Sequence, residues 1–459
     1  MIRLLAETPR DQEMIEKFQR AYENLKKIVD RLQEENRKLR EELEEYRKRH
    51  PSTVGVKNNQ PYAIREESPM PDVTQAKRKP GGQPGHTGHH RKIPGITERI
   101  RVHADQFTCP ECSSVLVKKG MRSRVVEDIP ETRPRVIRYR IERMYCRNCG
   151  RIYEPDIMGV LPGARLSLRT MLIAAYMKNA MRMSLESVSE SMGELFSIRI
   201  SEGEVQDILY QLSHALGPEY DSLVESMRKA PSRYTDTTTW RRNGENHALW
   251  VFVTKAEAIF HVSGSNNHEV AGKILGKHSG TDVHDRFKAF DTLASETHNT
   301  QQYCWSHIIC DAKELEEFYG DEGRIIKESL QRIHEEAKSF HSRGTREDVD
   351  HLHEKLTFLL DRDYAHRRSG KFVDNLLRRR RDWLFRFVVD PEVESTNNRA
   401  ERALRPAVIY RKVTGGSRSD RGAEAYATLS SIFYTQKLRK KSIIRDVPAL
   451  INRKETHPG

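Results

Sequence analysis

The sequence predicts a multidomain α/β protein. A mixed-sheet domain interrupted by a helical insertion follows a coiled coil, a zinc ribbon and a helical segment. Three observations carry this: a heptad repeat in residues 11–50, two C-x2-C pairs, and a switch to alternating strands and helices after Pro231. At ~100–200 residues per domain, a chain of 459 residues has room for several such units. Its 79 Lys and Arg against 66 Asp and Glu leave a net charge of +13, which points to a polyanionic partner, most commonly nucleic acid. The sequence lacks an apolar run of membrane-spanning length, and MIRLLAETPRDQEMIEKF turns acidic too early for a secretory signal. The expected location is therefore cytoplasmic, with no membrane partner.

Residues 11–50 contain no Gly or Pro. Ile15, Tyr22, Val29, Asn36 and Leu43 fall at heptad position a, and Phe18, Leu25, Leu32, Leu39 and Tyr46 at d. A buried Asn at position a, the place Asn36 takes in the repeat, favours a parallel, in-register pair, because its amide is then satisfied by its own copy. A homodimer or higher oligomer is expected from this segment, whose own charges nearly cancel.

Residues 51–98 are rich in Pro, Gly and polar residues without apolar periodicity, and read as a linker. Its second half is strongly basic. From Lys77 to His103, seven cations (Lys77, Arg78, Lys79, Arg91, Lys92, Arg99 and Arg101) face Glu98 alone, giving +6 in 27 residues. Such a strip suits phosphates or a minor groove, and equally a solvated tether.

Cys109 and Cys112 (CPEC) and Cys146 and Cys149 (CRNC) have the spacing by which four thiolates enclose one structural Zn²⁺, leaving no open coordination position. The intervening segment alternates apolar and charged residues, which predicts antiparallel strands and a ribbon over residues 99–160. Arg135, Arg138 and Arg140 on its second half are candidate DNA contacts.

Residues 161–230 read as helical. Ser201 and Glu204 form an S-x-x-E start signal, and the two helices around the break at residues 197–201 fit a helix-turn-helix or an ordinary αα corner. From residue 231 to about 440, RYTDTTTWRR, HALWVFVT and AIFHVS form a β-meander. A helix (NHEVAGKILGK), a strand (GTDVHD) and a further candidate strand (QQYCWSHI) follow. Helices from about 307 to 390 form an insertion before NNRAERALRP, which carries Glu401. Asp236 and Asp285 are placed at strand positions where two carboxylates can share Mg²⁺. Asp282 competes with Asp285, and Glu394 with Glu401. Cys304 and His307 in CWSH supply too few ligands for a zinc site on their own.

The motifs together resemble the IS66-family transposases. NNRAERALRP with RKVTGGSRSDRGAE resembles the family's C-terminal signature. A coiled coil, PGGQPGHTGHH, CPEC…CRNC, RYTDTTTWRRNGENHALWVF, VHDRFKAFD and CWSHIICDAKEL precede it in the family's order. The resemblance implies an RNase H-like DDE domain with Asp236, Asp285 and Glu401 as the catalytic triad. It also implies two Mg²⁺ (or Mn²⁺) per active site, and DNA partners at the element's terminal inverted repeats and the target. Accessory element-encoded proteins and a nucleoid-associated site of action in a prokaryotic cell would follow. Arg402, Arg405, Arg411 and Lys412 then become phosphate-contact candidates. One departure stands beside the first aspartate, where the family has Asp-Glu-Thr and this chain has Asp236, Thr237 and Thr238. The competing reading is a dimeric zinc-ribbon DNA-binding regulator that no longer cuts.

Overall fold

The computed structural model describes residues 95–277, 280–297, 299–341 and 343–451, together with seven positions between 23 and 38. The chain divides into two units, Met1–Gly95 and Ile96–Gly459. In the first, Glu23, Lys26, Lys27, Arg31, Glu34, Arg37 and Lys38 are helical and exposed, and none of them occupies an a or d position of the heptad. Arg37 pairs with Glu34 at 2.6 Å, one turn apart. The a and d residues that define the coiled coil lie outside the described residues, as do Lys77, Arg78, Lys79, Arg91 and Lys92.

The cysteine-rich segment differs from the ribbon expected. Regular pairing is confined to two-residue strands, Met144–Tyr145 against Ile152–Tyr153, and one bridge between Thr108 and Val115. The alternating stretch between them stays irregular for a physical reason. Val117, Ile129 and Val136 are 86%, 89% and 96% exposed, so no second layer covers an apolar face. Pro130 and Pro134 also remove ladder donors.

Four helices precede the sheet: α1 (Leu168–Ala175), α2 (Leu185–Phe196), α3 (Glu202–Ala215) and α4 (Gly217–Lys229). Ser201 accepts a bond from the Glu204 N–H at 3.2 Å, so the start signal caps α3 as read. The apolar face of α3, Val205, Ile208, Leu209 and Leu212, is buried in the core. Its exposed residues, Glu202, Asp207, Gln211 and His214, include no Lys or Arg, which favours the αα corner over a DNA-reading helix.

The sheet contains β1 (Ser232–Arg242), β2 (Glu245–Val253), β3 (Ala258–Ser263), β4 (Thr281–His284) and β5 (Thr300–Tyr303), in the order β3-β2-β1-β4-β5. β1, β2 and β3 are antiparallel neighbours, whereas β4 runs parallel to β1 and β5 parallel to β4. α5 (His268–Leu275) and α6 (Lys288–Thr297) make the crossovers. Both faces are covered, which explains why β2 reads as an almost unbroken apolar run. Leu249, Val251 and Val253 enter one core cluster, and Ala248, Trp250 and Phe252 enter the other, following the two-residue period of a strand.

The insertion is helical as expected: α7 (Trp305–Tyr319), α8 (Asp321–Phe340), α9 (Arg346–Leu360), α10 (Arg367–Asp374) and α11 (Arg386–Val389). The expected strand QQYCWSHI is corrected, because it ends at Tyr303 and Cys304 becomes the N-cap residue of α7. The Trp305 indole N–H bonds the Leu384 carbonyl at 2.7 Å, which turns this apolar residue into a tie between the insertion's two ends.

α12 (Asn398–Thr414) and α13 (Asp420–Leu438) return to the sheet. Between them the chain must pass close to β1. Gly416 has φ +102°, and a Cβ there would sit 2.2 Å from the Arg241 carbonyl oxygen, so the signature TGGS needs this glycine. α13 covers the edge strand: Ser431 and Thr435 hydroxyls accept bonds from the Phe260 and Ala258 N–H groups at 2.8 and 3.0 Å. A last helix, α14 (Ile443–Ile451), follows. Among the described residues, no helix is long and apolar enough to cross a membrane.

Candidate active site

Strand register determines what each aspartate meets. In the parallel β1/β4 pair, Arg233 lies opposite Asp282 and Tyr234 opposite Val283. Continuing that register two residues brings Asp236 opposite Asp285, one step past the end of β4. Neighbouring strands are only ~4.8 Å apart, so the two carboxyl-bearing residues are adjacent. Glu401 joins them from the first turn of α12, whose Ala400, Ala403 and Ala407 let the helix pack against β1.

The electrostatics reflect this convergence. Burial pushes the Asp236 carboxyl up to about 7, and the negative charges of Asp285 and Glu401 push the same way. The Thr237 N–H, donating to Asp236 Oδ1 at 2.7 Å, opposes the rise. Asp285 is held by a bond from the Phe287 N–H to its Oδ1 at 3.1 Å. Among the described residues, no Lys or Arg ion pair neutralises Asp236, Asp285 or Glu401. Carboxylate oxygens are the ligands a hard divalent cation such as Mg²⁺ takes, although among the described residues the oxygens of Asp236, Asp285 and Glu401 do not form a set that lies within 4.8 Å of one another.

The competing carboxylates have other partners. Asp282 is fully buried and pairs with the equally buried Arg233 at 2.7 Å, with a further bond from the Asn299 amide at 3.2 Å. Glu394 is occupied by Arg399, which also lies 5.4 Å over the Tyr234 ring.

Asn397, which opens the NNRAER motif and which the sequence did not single out, sits between β1, α7 and α12. It is fully buried. Its side-chain amide donates to the Thr235 carbonyl at 2.7 Å, and its backbone N–H donates to Cys304 Sγ at 3.1 Å. It therefore ties the start of the Glu401 helix both to the Asp236 strand and to α7. The Trp305 N–H, bonded to the Ser395 carbonyl at 2.9 Å, strengthens the same junction. His307 Nδ1 lies 3.9 Å from Glu401 Oε1, and burial pushes the Cys304 thiol up to about 11.

The basic candidates divide. Arg135, Arg138, Arg140, Arg402, Arg405 and Lys412 are exposed. Arg411 differs: its guanidinium Nη1 bonds the Thr239 carbonyl and hydroxyl and the Thr238 hydroxyl, so it fastens α12 to β1.

Each cysteine pair forms a tight knuckle. The Ser113 N–H bonds the Cys109 carbonyl and the Gly150 N–H bonds the Cys146 carbonyl, both at 2.9 Å. All four cysteines are free. Hydrogen bonding favours the thiolate at Cys112, chiefly from Ser114, and at Cys146, chiefly from Cys149. Two such knuckles suit Zn²⁺ chemically. Among the described residues, however, the four sulfurs are not gathered within 4.8 Å of one another.

Two family models match the chain. The one described as the transposase IS66 family covers residues 165–425, and the one described as the zinc-finger binding domain of transposase IS66 covers residues 107–150. No curated protein sequence matches it.

Proposed function

The chain belongs to the IS66 transposase family, and from that premise we propose that it cleaves and joins DNA at the ends of its element, using Asp236, Asp285 and Glu401. The observation that carries this reading is that the charges of Asp285, just past β4, and Glu401, on α12, both act on the buried Asp236 carboxyl of β1. The strand order β3-β2-β1-β4-β5, with β2 alone antiparallel to both of its neighbours, supports an RNase H-like domain for these residues.

Asp236, Asp285 and Glu401 would hold Mg²⁺ or Mn²⁺, which when bound polarises a phosphodiester and lowers the pKa of a coordinated water or hydroxyl. The protein's part is positioning. Thr237 orients the Asp236 carboxylate, the Phe287 N–H orients Asp285, and Asn397 holds the Glu401 helix against β1. In the first step water attacks a phosphodiester at the element end, breaking a P–O bond and freeing a 3′-hydroxyl. In the second, that hydroxyl attacks target DNA, forming a new P–O bond and releasing a target 3′-hydroxyl.

The basic strip from Lys77, the exposed arginines of the zinc-finger segment and Arg402, Arg405 and Lys412 supply phosphate contacts in this reading. Cys109, Cys112, Cys146 and Cys149 would hold one structural Zn²⁺ in this reading, whose binding must draw the two knuckles together. The N-terminal heptads pair two chains, as a synaptic complex holding two ends requires. The test incubates purified full-length protein and Mg²⁺ with a supercoiled plasmid bearing both element ends. Nicked and joined products are expected from the parent and none from Asp236→Ala. Identical behaviour of the two proteins, with DNA binding retained, would return the chain to a non-catalytic DNA-binding role.

A further inference from the structure

We infer that Cys304, His307 and Glu401 form a second metal site, for a borderline divalent cation of the zinc class, sharing Glu401 with the carboxylate cluster. The thiol sulfur, a ring nitrogen and a carboxylate oxygen all lie within 4.8 Å of one another. The separation between His307 Nδ1 and Glu401 Oε1, 3.9 Å, is too long for a hydrogen bond. Two ligands on one tetrahedral zinc, each ~2.0–2.3 Å from the metal, sit ~3.3–3.8 Å apart. Shifts of less than about 1 Å therefore close the set.

Two polar atoms, one on His307 and one on the adjoining Asn397, have no hydrogen-bond partner among the described residues. One is His307 Nδ1. The other is Oδ1 of the fully buried Asn397, whose backbone N–H rests on Cys304 Sγ. Such orphaned groups are costly unless something meets them. Cys304 caps α7 and His307 lies in its first turn, so one helix end presents both. Glu401 arrives from α12, which is why CWSH alone shows two ligands and the folded chain shows three.

Thiolate and imidazole select zinc over magnesium, which prefers oxygen. On binding, Cys304 gives its thiol proton to solvent and His307 uses the lone pair of a neutral ring, so thiolate and carboxylate together balance the dication. A fourth position remains open to water. One consequence rests on the cleavage reading above: a cation held here engages the carboxylate that cleavage needs, so zinc would hold the enzyme inactive.

The test counts zinc and reads no DNA chemistry, so it stands or falls separately from that reading. Full-length parent, His307→Ala and Cys304→Ser proteins are dialysed against zinc-buffered, magnesium-free solution, and bound zinc per chain is measured by atomic emission. A Cys109→Ser, Cys112→Ser double variant marks the zinc-finger ion. Each of the two single variants is expected to bind one zinc fewer than the parent, while the double variant keeps the ion at Cys304. His307 is only partly buried, and a circular dichroism spectrum read beside its zinc content shows whether His307→Ala folds, so it decides the matter even where Cys304→Ser folds poorly. Equal zinc in the parent and His307→Ala would overturn the inference.

Discussion

Asp282 and Asp285 stand three residues apart in one short stretch, yet their surroundings are opposite. The interior of β4 places Asp282 beside Arg233, with both side chains fully buried and paired at 2.7 Å. Just past the end of the strand, Asp285 acts by its charge on the Asp236 carboxyl, as Glu401 does from α12. A single register produces both results, because residues three apart on a strand face opposite sides of the sheet. The difference teaches that a carboxylate's role is set by the position on the neighbouring strand that it meets. One pairing locks the sheet together. The other sets like charges against a buried carboxyl and raises its pKa.

The largest expected effect separates these two roles. Asp285→Asn should leave the fold intact and reduce Mg²⁺-dependent cleavage by more than the ~10–100-fold lost with a metal-site supporting residue. Asp282→Asn leaves Arg233 charged and unpaired in the core, and should cost about 3–5 kcal/mol in urea unfolding. Reversal of these two outcomes would exchange the assigned roles.

Asn397→Ala tests the link between the strand and the Glu401 helix. Losing the bond to the Thr235 carbonyl should cost about 1–3 kcal/mol, with a ~10–100-fold fall in kcat as the helix loosens. A stability loss with unchanged kcat would make Asn397 structural only.

A pH series sharpens the comparison further. The native Asp236 carboxyl sits at about 7, above its unfolded value of ~3.9. In magnesium-free buffer its contribution is full below about pH 4 and is lost as pH rises through about 7. Asp236→Asn should therefore be more stable than the parent at pH 8, by on the order of 1–3 kcal/mol after solvent screening. At pH 4 the two should melt alike.

The smallest effect concerns the basic residues. Arg405→Ala should lower the salt dependence of DNA binding by about one unit of log-log slope. Arg411→Ala should leave that slope unchanged while lowering Tm, because Arg411 serves the α12–β1 contact.

Much of this was legible before folding. The five strands of the sheet begin or run where apolar runs and turn signals predicted them, because a buried strand must write its apolar character into the sequence. Glu401 was framed by NNRAERALRP, and Gly416 by a signature whose close approach to Arg241 only glycine allows. Other features were not legible. CWSHI reads equally as strand or helix, since a short apolar run suits both. The alternating segment around Ile129 predicted strands but lacks a covering layer, so alternation alone misled. Arg411 looked like any surface cation until its helix was docked.

The sequence by itself determined the inventory: a heptad segment, a zinc-finger segment, an α/β domain with a helical insertion, and the acidic residues in chain order. These are local properties, written in period, spacing and residue chemistry. Only the tertiary structure decided which carboxylate is neutralised by Arg233, that Asn397 joins the two halves of the site, and that Glu401 comes within reach of Cys304 and His307. Those outcomes depend on register and on packing between elements far apart in the chain, and no local pattern encodes the partner that a side chain finally meets.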